Sequence, residues 1–253
     1  MKIVIIGTGN VATVLGRKLK NAGHTIAQVC GRDKQAVIGL SKEWGAAAII
    51  DRAAITRDAE LYLIALTDAA LINIEQTIVL TDQLVVHTAG SVSIKVLEKV
   101  SSSYGVFYPF QTLRKEITII PEIPVFIDAN AEPAREKLRQ LAGTISGQVN
   151  EANDRQRMQY HLSAILVNNF TNYLYAVAEE YCHKNGLDFK SLLPLIQETA
   201  NRLHQCSPAM VQTGPAIRKD MATIESHRQL LDTDPSLKDL YTFISEQILH
   251  FKW

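Results

Sequence analysis

Four short segments hold the side chains that could do chemistry in this chain of 253 residues. The turn Gly7-Thr8-Gly9-Asn10-Val11-Ala12 has the G-x-G-x-x-A spacing of a backbone that closes on a pyrophosphate. His161, Asn168 and Asn172 fall within one narrow stripe of a helix at about 100° per residue, with Asn169 to one side. Amides and an imidazole on an otherwise apolar helix are costly to bury without partners. They could donate to a carbonyl or carboxylate, with His161 as general acid; a polar seam satisfied between helices would use the same residues. His87-Thr88-Ala89-Gly90-Ser91 follows an apolar run, where ligand contact and a self-stabilised turn are the two readings. Thr213-Gly214-Pro215-Ala216-Ile217-Arg218-Lys219-Asp220 offers Arg218 as a bidentate clamp for a carboxylate, or an Arg218–Asp220 contact that is only structural.

The elements around the glycine turn make it more than a loop. Lys2–Ile6 reads as a buried strand, Thr13–Leu19 as the helix after the turn, and Ile26–Cys30 as a second strand. Gly7 would allow the tight turn, Gly9 the approach of a pyrophosphate, and Ala12 close packing of helix on strand. The helix N-terminus would face the phosphates with its free N–H groups and partial positive charge. The second strand ends at Gly31-Arg32 rather than at an acid, which favours NADP over NAD because a guanidinium pairs with a 2′-phosphate. Asp33 is the one counter-signal.

The remaining strands and helices alternate. Strands are expected at 46–50, 58–66, 84–87, 105–108, 124–128 and 144–149, with helices at 35–44, 71–80, 94–99 and 131–141. Mostly apolar strands alternating with helices argue for an α/β fold built on a mainly parallel sheet. Polar and small residues gather at the expected strand ends, including Thr67-Asp68 and His87 to Ser91, so Thr67, Asp68, His87 and Ser91 join the cofactor-binding candidates. From Asp154 the texture becomes all-helical. One long helix is expected over 154–184, others over 189–206, 216–231 and 237–251. The reading is a nucleotide-binding domain over 1–150 and a helical substrate and dimerisation domain over 151–253. About 100 residues of long apolar helices can hardly bury every stripe alone, so a homodimer through the C-terminal helices is expected.

Bulk properties set limits. Hydrophobic residues make up 47% and charged residues 21%, as in an ordinary globular protein, and the formal net charge is zero. That balance gives no electrostatic reason to expect nucleic acid or an anionic membrane as partner. Cys30, Cys182 and Cys206 form no C-x-x-C pair, so neither a metal site nor a disulfide framework is indicated. Core sequence begins almost at Met1 and no apolar run approaches the roughly 20 residues of a membrane span, so a cytoplasmic location is expected.

The motifs GTGNVA (7–12), HTAGS (87–91), YPFQT (108–112), YHLSAILVNNF (160–170) and TGPAIRKD (213–220) resemble, in that order, a bacterial family. It joins a Rossmann-like domain to a C-terminal domain called DUF2520. The family is similar to NADP-dependent reductases grouped with pyrroline-5-carboxylate reductase, ketopantoate reductase and 6-phosphogluconate dehydrogenase. The resemblance implies functional roles at His87, Ser91, Gln111, His161, Asn169, Pro215, Arg218 and Asp220. It also implies reduction of a small C=O or C=N substrate in an interdomain cleft, with 2-oxo acids as the first class to test. Two alternatives stand beside it: a deazaflavin hydride carrier, and a nucleotide-binding sensor without turnover. Two departures bear on these. Tyr108-Pro109 stands where the family usually has His-Pro, and the lysine that hydroxyacid dehydrogenases carry near His161 is missing.

Overall fold

A computed structural model describes residues 1–117 and 119–252. The chain divides into two compact units, Met1–Ile165 and Leu166–Trp253.

The first unit is built on an eight-stranded sheet in the order β3-β2-β1-β4-β5-β6-β7-β8. Its strands are β1 (Lys2–Ile6), β2 (Thr25–Cys30), β3 (Ala47–Ile49), β4 (Leu61–Ile64), β5 (Leu84–His87), β6 (Tyr104–Pro109), β7 (Val125–Ala129) and β8 (Val149–Glu151). Every neighbouring pair is parallel except β6 with β7. Parallel strands need both faces covered, and the central ones show it: β4 and β5 are buried along their whole length. Alternation then sorts the side chains. Ile3, Ile5, Leu61, Leu63 and Val86 pack with Leu15, Trp44 and Leu138 on one face. Val4, Ile6, Tyr62, Ile64 and Val85 pack with Leu71, Ile74 and Leu97 on the other.

The first face is covered by α1 (Asn10–Asn21), α2 (Lys34–Trp44) and α4 (Glu132–Gly143). On the opposite face the expected helix over 71–80 is instead a short α3 (Asp68–Leu71) and a 3-10 turn at Ile74–Gln76. Ile72, Thr77, Ile78 and Val79 are β-branched and weaken a continuous helix, so burial of Leu71, Ile74 and Ile78 fixes the segment without one. Likewise 94–99 is a 3-10 turn at Ile94–Leu97, and the strand expected over 144–149 begins only at Val149, after a turn in which Ser146 bonds Gln148.

Register brings the strand ends level. Ile6 lies opposite both Cys30 and Ile64, Ile64 opposite His87, and His87 opposite Val106. Gly7, Ala65 to Asp68, Thr88 to Ser91 and Tyr108 therefore emerge along one carboxyl edge, where open parallel sheets bind ligands.

Helix α5 (Asp154–Ala164) groups with the sheet, so the first unit runs past the break near 150 read from the sequence. The anchor is polar. Asp154 accepts from Ser93 Oγ and from the Ile94 amide, and Arg157 donates to the Val92 carbonyl and to Asp154.

The second unit is helical, with α6 (Thr171–Lys184), α7 (Leu193–Asn201), the single turn α8 (Pro208–Val211), α9 (Met221–Leu230) and α10 (Pro235–His250). The expected 154–184 helix is helical throughout, but Ile165–Phe170 winds as a π-helix. The 189–206 segment is α-helical only over α7, with 3-10 turns on both sides. The helix expected to begin at residue 216 starts at α9, because Lys219 adopts φ of 56° and Asp220 caps Met221 onward. No helix among the described residues is long and apolar enough to cross a membrane.

Candidate functional site

The glycine turn has the form its spacing called for. Gly7 sits at φ of 131°, and a Cβ there would overlap the carbonyl oxygen of Ala65 at the end of β4. Only glycine fits that close approach. Its amide donates to the Cys30 carbonyl at 2.8 Å, tying the turn to β2. Gly9 caps α1 without any side-chain hydrogen bond to the helix, and a Cβ built on it meets nothing within 4 Å. No side chain caps the first-turn amides of α1, which leaves them for an anion. Ala12 is fully buried against the sheet. Thr8 packs under Gly31, and Asn10 accepts from the Lys115 amide at 3.3 Å, so the 113–115 loop is held to the start of α1. Arg17 clamps the same loop through the Lys115 carbonyl at 2.7 Å.

At the tip of β2, Arg32 is exposed, while Asp33 is the N-cap of α2. Its Oδ1 accepts from the Gln35 and Ala36 amides at 3.0 and 3.1 Å. One oxygen of the carboxylate that argued for NAD thus serves a helix end. The residues of the turn and the β2 tip fit a dinucleotide.

The HTAGS segment closes over a buried polar group. His87 is 0% exposed; its Nδ1 accepts the Ala89 amide at 3.2 Å, and its Nε2 has no hydrogen-bond partner. Its ring is thus inside the turn, supporting it from below. Burial, joined by the nearby Arg157 charge, pushes its pKa down to about 4. Ser91 donates to Asp68, linking the β5 and β4 ends, while Thr67 precedes α3 as its N-cap.

Beside them, Tyr108 Oη lies 3.2 Å from His161 Nδ1. Gly90 is wedged against both: a Cβ there would stand 2.9 Å from each of those two atoms. Phe126 stacks on Tyr108 with centroids 6.4 Å apart, and Phe110 meets it edge-on at 6.0 Å. Burial raises the Tyr108 pKa, partly opposed by Arg157. Sequence reasoning did not single out Arg157. It is 1% exposed, holds Asp154 at 2.7 Å, and leaves Nε and Nη1 without partners. Its place four residues before His161, on the same helical face, was the available signal.

In the second unit the candidates are more open. Asn168 and Asn169 are both exposed, with Asn168 Nδ2 3.3 Å from Asn169 Oδ1. They lie in the π-helix, which adds residues to each turn, so a stripe calculated at α-helical pitch through Asn168 and Asn172 does not carry across it. Asp220 is a cap: its carboxylate accepts from the Thr223 amide at 3.1 Å and hydroxyl at 2.7 Å, which hold its pKa down. Arg218 is exposed in the turn ahead of it, and Pro215 accepts the Asp220 amide at 2.9 Å. Gln111 of the first unit is exposed and bonds the Thr112 amide.

A mainly parallel sheet with a glycine turn at its first strand end defines a Rossmann-type fold. The comparisons agree. Residues 2–90 match the model "NADP oxidoreductase coenzyme F420-dependent", and residues 123–248 match the domain of unknown function DUF2520. BF3122 of Bacteroides fragilis, named as a proposed NADP oxidoreductase, is 38% identical over 99% of this chain and 98% of its own, with a TM-score of 0.89. The chain belongs to this family of DUF2520 proteins with an NADP-oxidoreductase-type N-terminal domain. Protein TM1727 of Thermotoga maritima is similar at 20% identity, covering 97% of each chain with a TM-score of 0.80. The 1-pyrroline-5-carboxylate reductase of Streptococcus pyogenes shares the fold at 14% identity, 99% coverage of each chain and a TM-score of 0.63. No curated protein matches the chain.

Proposed function

We propose that this protein is an NADP-dependent reductase of small C=O or C=N compounds, with His161 as the source of the proton. The observation that carries the cofactor half is the arrangement at the β2 tip: Arg32 is exposed while Asp33 caps α2 through Oδ1. A bound dinucleotide supplies the hydride from its nicotinamide. The chain's own part is to hold the pyrophosphate on the α1 amides, pair Arg32 with the 2′-phosphate, and present a proton at the Tyr108–His161 pair. Thr67, Asp68, Ser91 and the His87-supported turn line the same sheet edge and complete the cofactor contacts. Asn168 or Asn169 would orient the substrate, Arg218 would bind its carboxylate, and Asp220 would fix the turn that carries Arg218. The imine reductase of Myxococcus stipitatus, solved with NADP+, shares this fold, and its V8 variant was solved with NAD+.

The test is NADPH oxidation across a panel of 2-oxo acids and cyclic imines, with NADPH and NADH binding measured by titration calorimetry. Arg32→Glu is expected to weaken NADPH about tenfold or more, because it removes a charge-assisted hydrogen bond, while leaving NADH nearly unchanged. Tight NADPH binding with no turnover, and a His161→Ala variant altered only in stability, would instead identify a nucleotide sensor. A deazaflavin carrier is the second enzyme reading, favoured by the model that matches residues 2–90. It predicts reduction of NADP+ by a reduced deazaflavin.

The protein is also proposed to work as a homodimer through its C-terminal helices. In the second unit only Cys182, Ala216, Ile224, Leu231 and Ser245 are buried among the described residues. Val167, Leu195 and Met210 are 74%, 65% and 77% exposed. Apolar exposure on that scale argues for a covering surface, and a second copy supplies a matching one by symmetry.

A further inference from the structure

Tyr108 and His161 meet through polar atoms rather than by ring stacking. The hydroxyl is 3.2 Å from Nδ1, while the ring planes lie 65° apart with centroids separated by 6.3 Å. Both side chains are half-buried, so the pair is screened from bulk water yet reachable. A Cβ at Gly90 would stand 2.9 Å from both the hydroxyl and Nδ1, so the 88–91 turn passes the pair with room for glycine alone. Any side chain there would displace one partner or the other. Phe110 and Phe126 fix the phenol ring from its edge and its face. The strand that carries Tyr108 runs parallel to β5 and ends on the same sheet edge as the glycine turn.

We infer that Tyr108 is the residue that hands the proton to the substrate, and that His161 reprotonates it. This rests on the reductase reading. As hydride adds to the carbon of a C=N or C=O group, the π electrons move to the heteroatom. That atom takes the proton from Tyr108 Oη; the phenolic O–H bond breaks and an N–H or O–H bond forms. The phenolate oxygen then takes the Nδ1 proton of His161 as Nε2 gains one from solvent, so the ring passes from one neutral tautomer to the other without becoming an anion. One hydride from the reduced dinucleotide and one proton from water are consumed in total. Because Nδ1 points at the phenol oxygen, a proton held on that nitrogen reaches Tyr108 first. Burial keeps the phenol in its protonated, donating form, and the buried Arg157 charge eases formation of the phenolate.

Tyr108→Phe removes the hydroxyl and keeps the ring packing. NADPH affinity is expected to stay at the wild-type value, and turnover to fall about 100-fold or more, the usual weight of a general acid. The 15N resonance of His161 Nδ1 is expected to move toward that of a free imidazole nitrogen in the same variant. Gly90→Ala, which separates the pair by adding one carbon, should reproduce both changes. Turnover by Tyr108→Phe within about threefold of wild type, while His161→Gln is inactive, would make His161 the direct donor and overturn the assignment. An Nδ1 resonance unmoved by Tyr108→Phe would overturn it as well. If the wild-type protein binds NADPH and reduces nothing in the panel, the reductase reading itself fails, and that failure is visible before any variant is made.

Discussion

Replacing His87 tests how the sheet edge is held together. The ring is fully enclosed at the end of β5, with Nδ1 on the Ala89 amide and Nε2 unpartnered. Arg157, Asp154, Asp68 and the Ser93 backbone act on it, and burial dominates, so its pKa falls from 6.5 to about 4. The unfolded chain then binds a proton that the folded chain refuses. His87 therefore costs nothing above its ordinary pKa, and the protein loses stability as pH falls from about 6.5 toward about 4. Linkage puts the loss at about 2 kcal/mol between roughly pH 7.5 and pH 5, and about 3 kcal/mol once the ring is charged in both states. His87→Asn keeps an acceptor for the Ala89 amide and does not titrate. Urea unfolding of wild type and variant at both pH values isolates the effect, because the carboxylates are common to the two proteins. The wild type should lose about 2 kcal/mol more than the variant over that interval. Equal losses in both would refute the claim that this imidazole is buried in its neutral form.

Three further outcomes follow from the geometry. Gly7→Ala is expected to abolish NADPH binding and to lower the unfolding free energy by about 2 kcal/mol or more, since it adds a clash to a backbone conformation that disfavours a side chain; calorimetry and urea unfolding check the two parts. Asp154→Asn should destabilise the protein by about 3 kcal/mol, because it leaves the Arg157 guanidinium buried and without its carboxylate. Replacing both Asp154 and Arg157 by apolar residues should cost less than that single change. Sedimentation equilibrium should show a dimer, and Val167→Glu should shift it toward monomer while NADPH binding persists.

The parts of the site made by backbone were legible from residue order. Gly7, Gly9 and Ala12 gain meaning from the apolar strand before them and the helix after them, and the structure folds that stretch as a strand, a turn and a helix. The helical candidates were less legible because they depended on pitch. Seven residues at 100° bring Asn168 beneath His161, but Ile165–Phe170 is wound more loosely, and no pattern of apolar residues announced that change. The roles of Asp33 and Asp220 stayed open in the sequence because a carboxylate at a loop tip serves a ribose, a substrate or a helix amide equally well. Helix geometry assigned both to amides.

By itself the sequence determined the layered α/β architecture, since apolar strands and amphipathic helices are local consequences of side-chain periodicity. It also determined the glycine turn, whose constraints lie within neighbouring residues. Only the tertiary structure brought Gly90, Tyr108, Arg157 and His161 together, from a turn, a strand and a helix far apart in the chain. Their proximity comes from the parallel order of β5 and β6 and from the Asp154–Ser93 anchor of α5. Long-range packing of that kind decides which polar groups are enclosed, and enclosure decides which of them hold or release a proton.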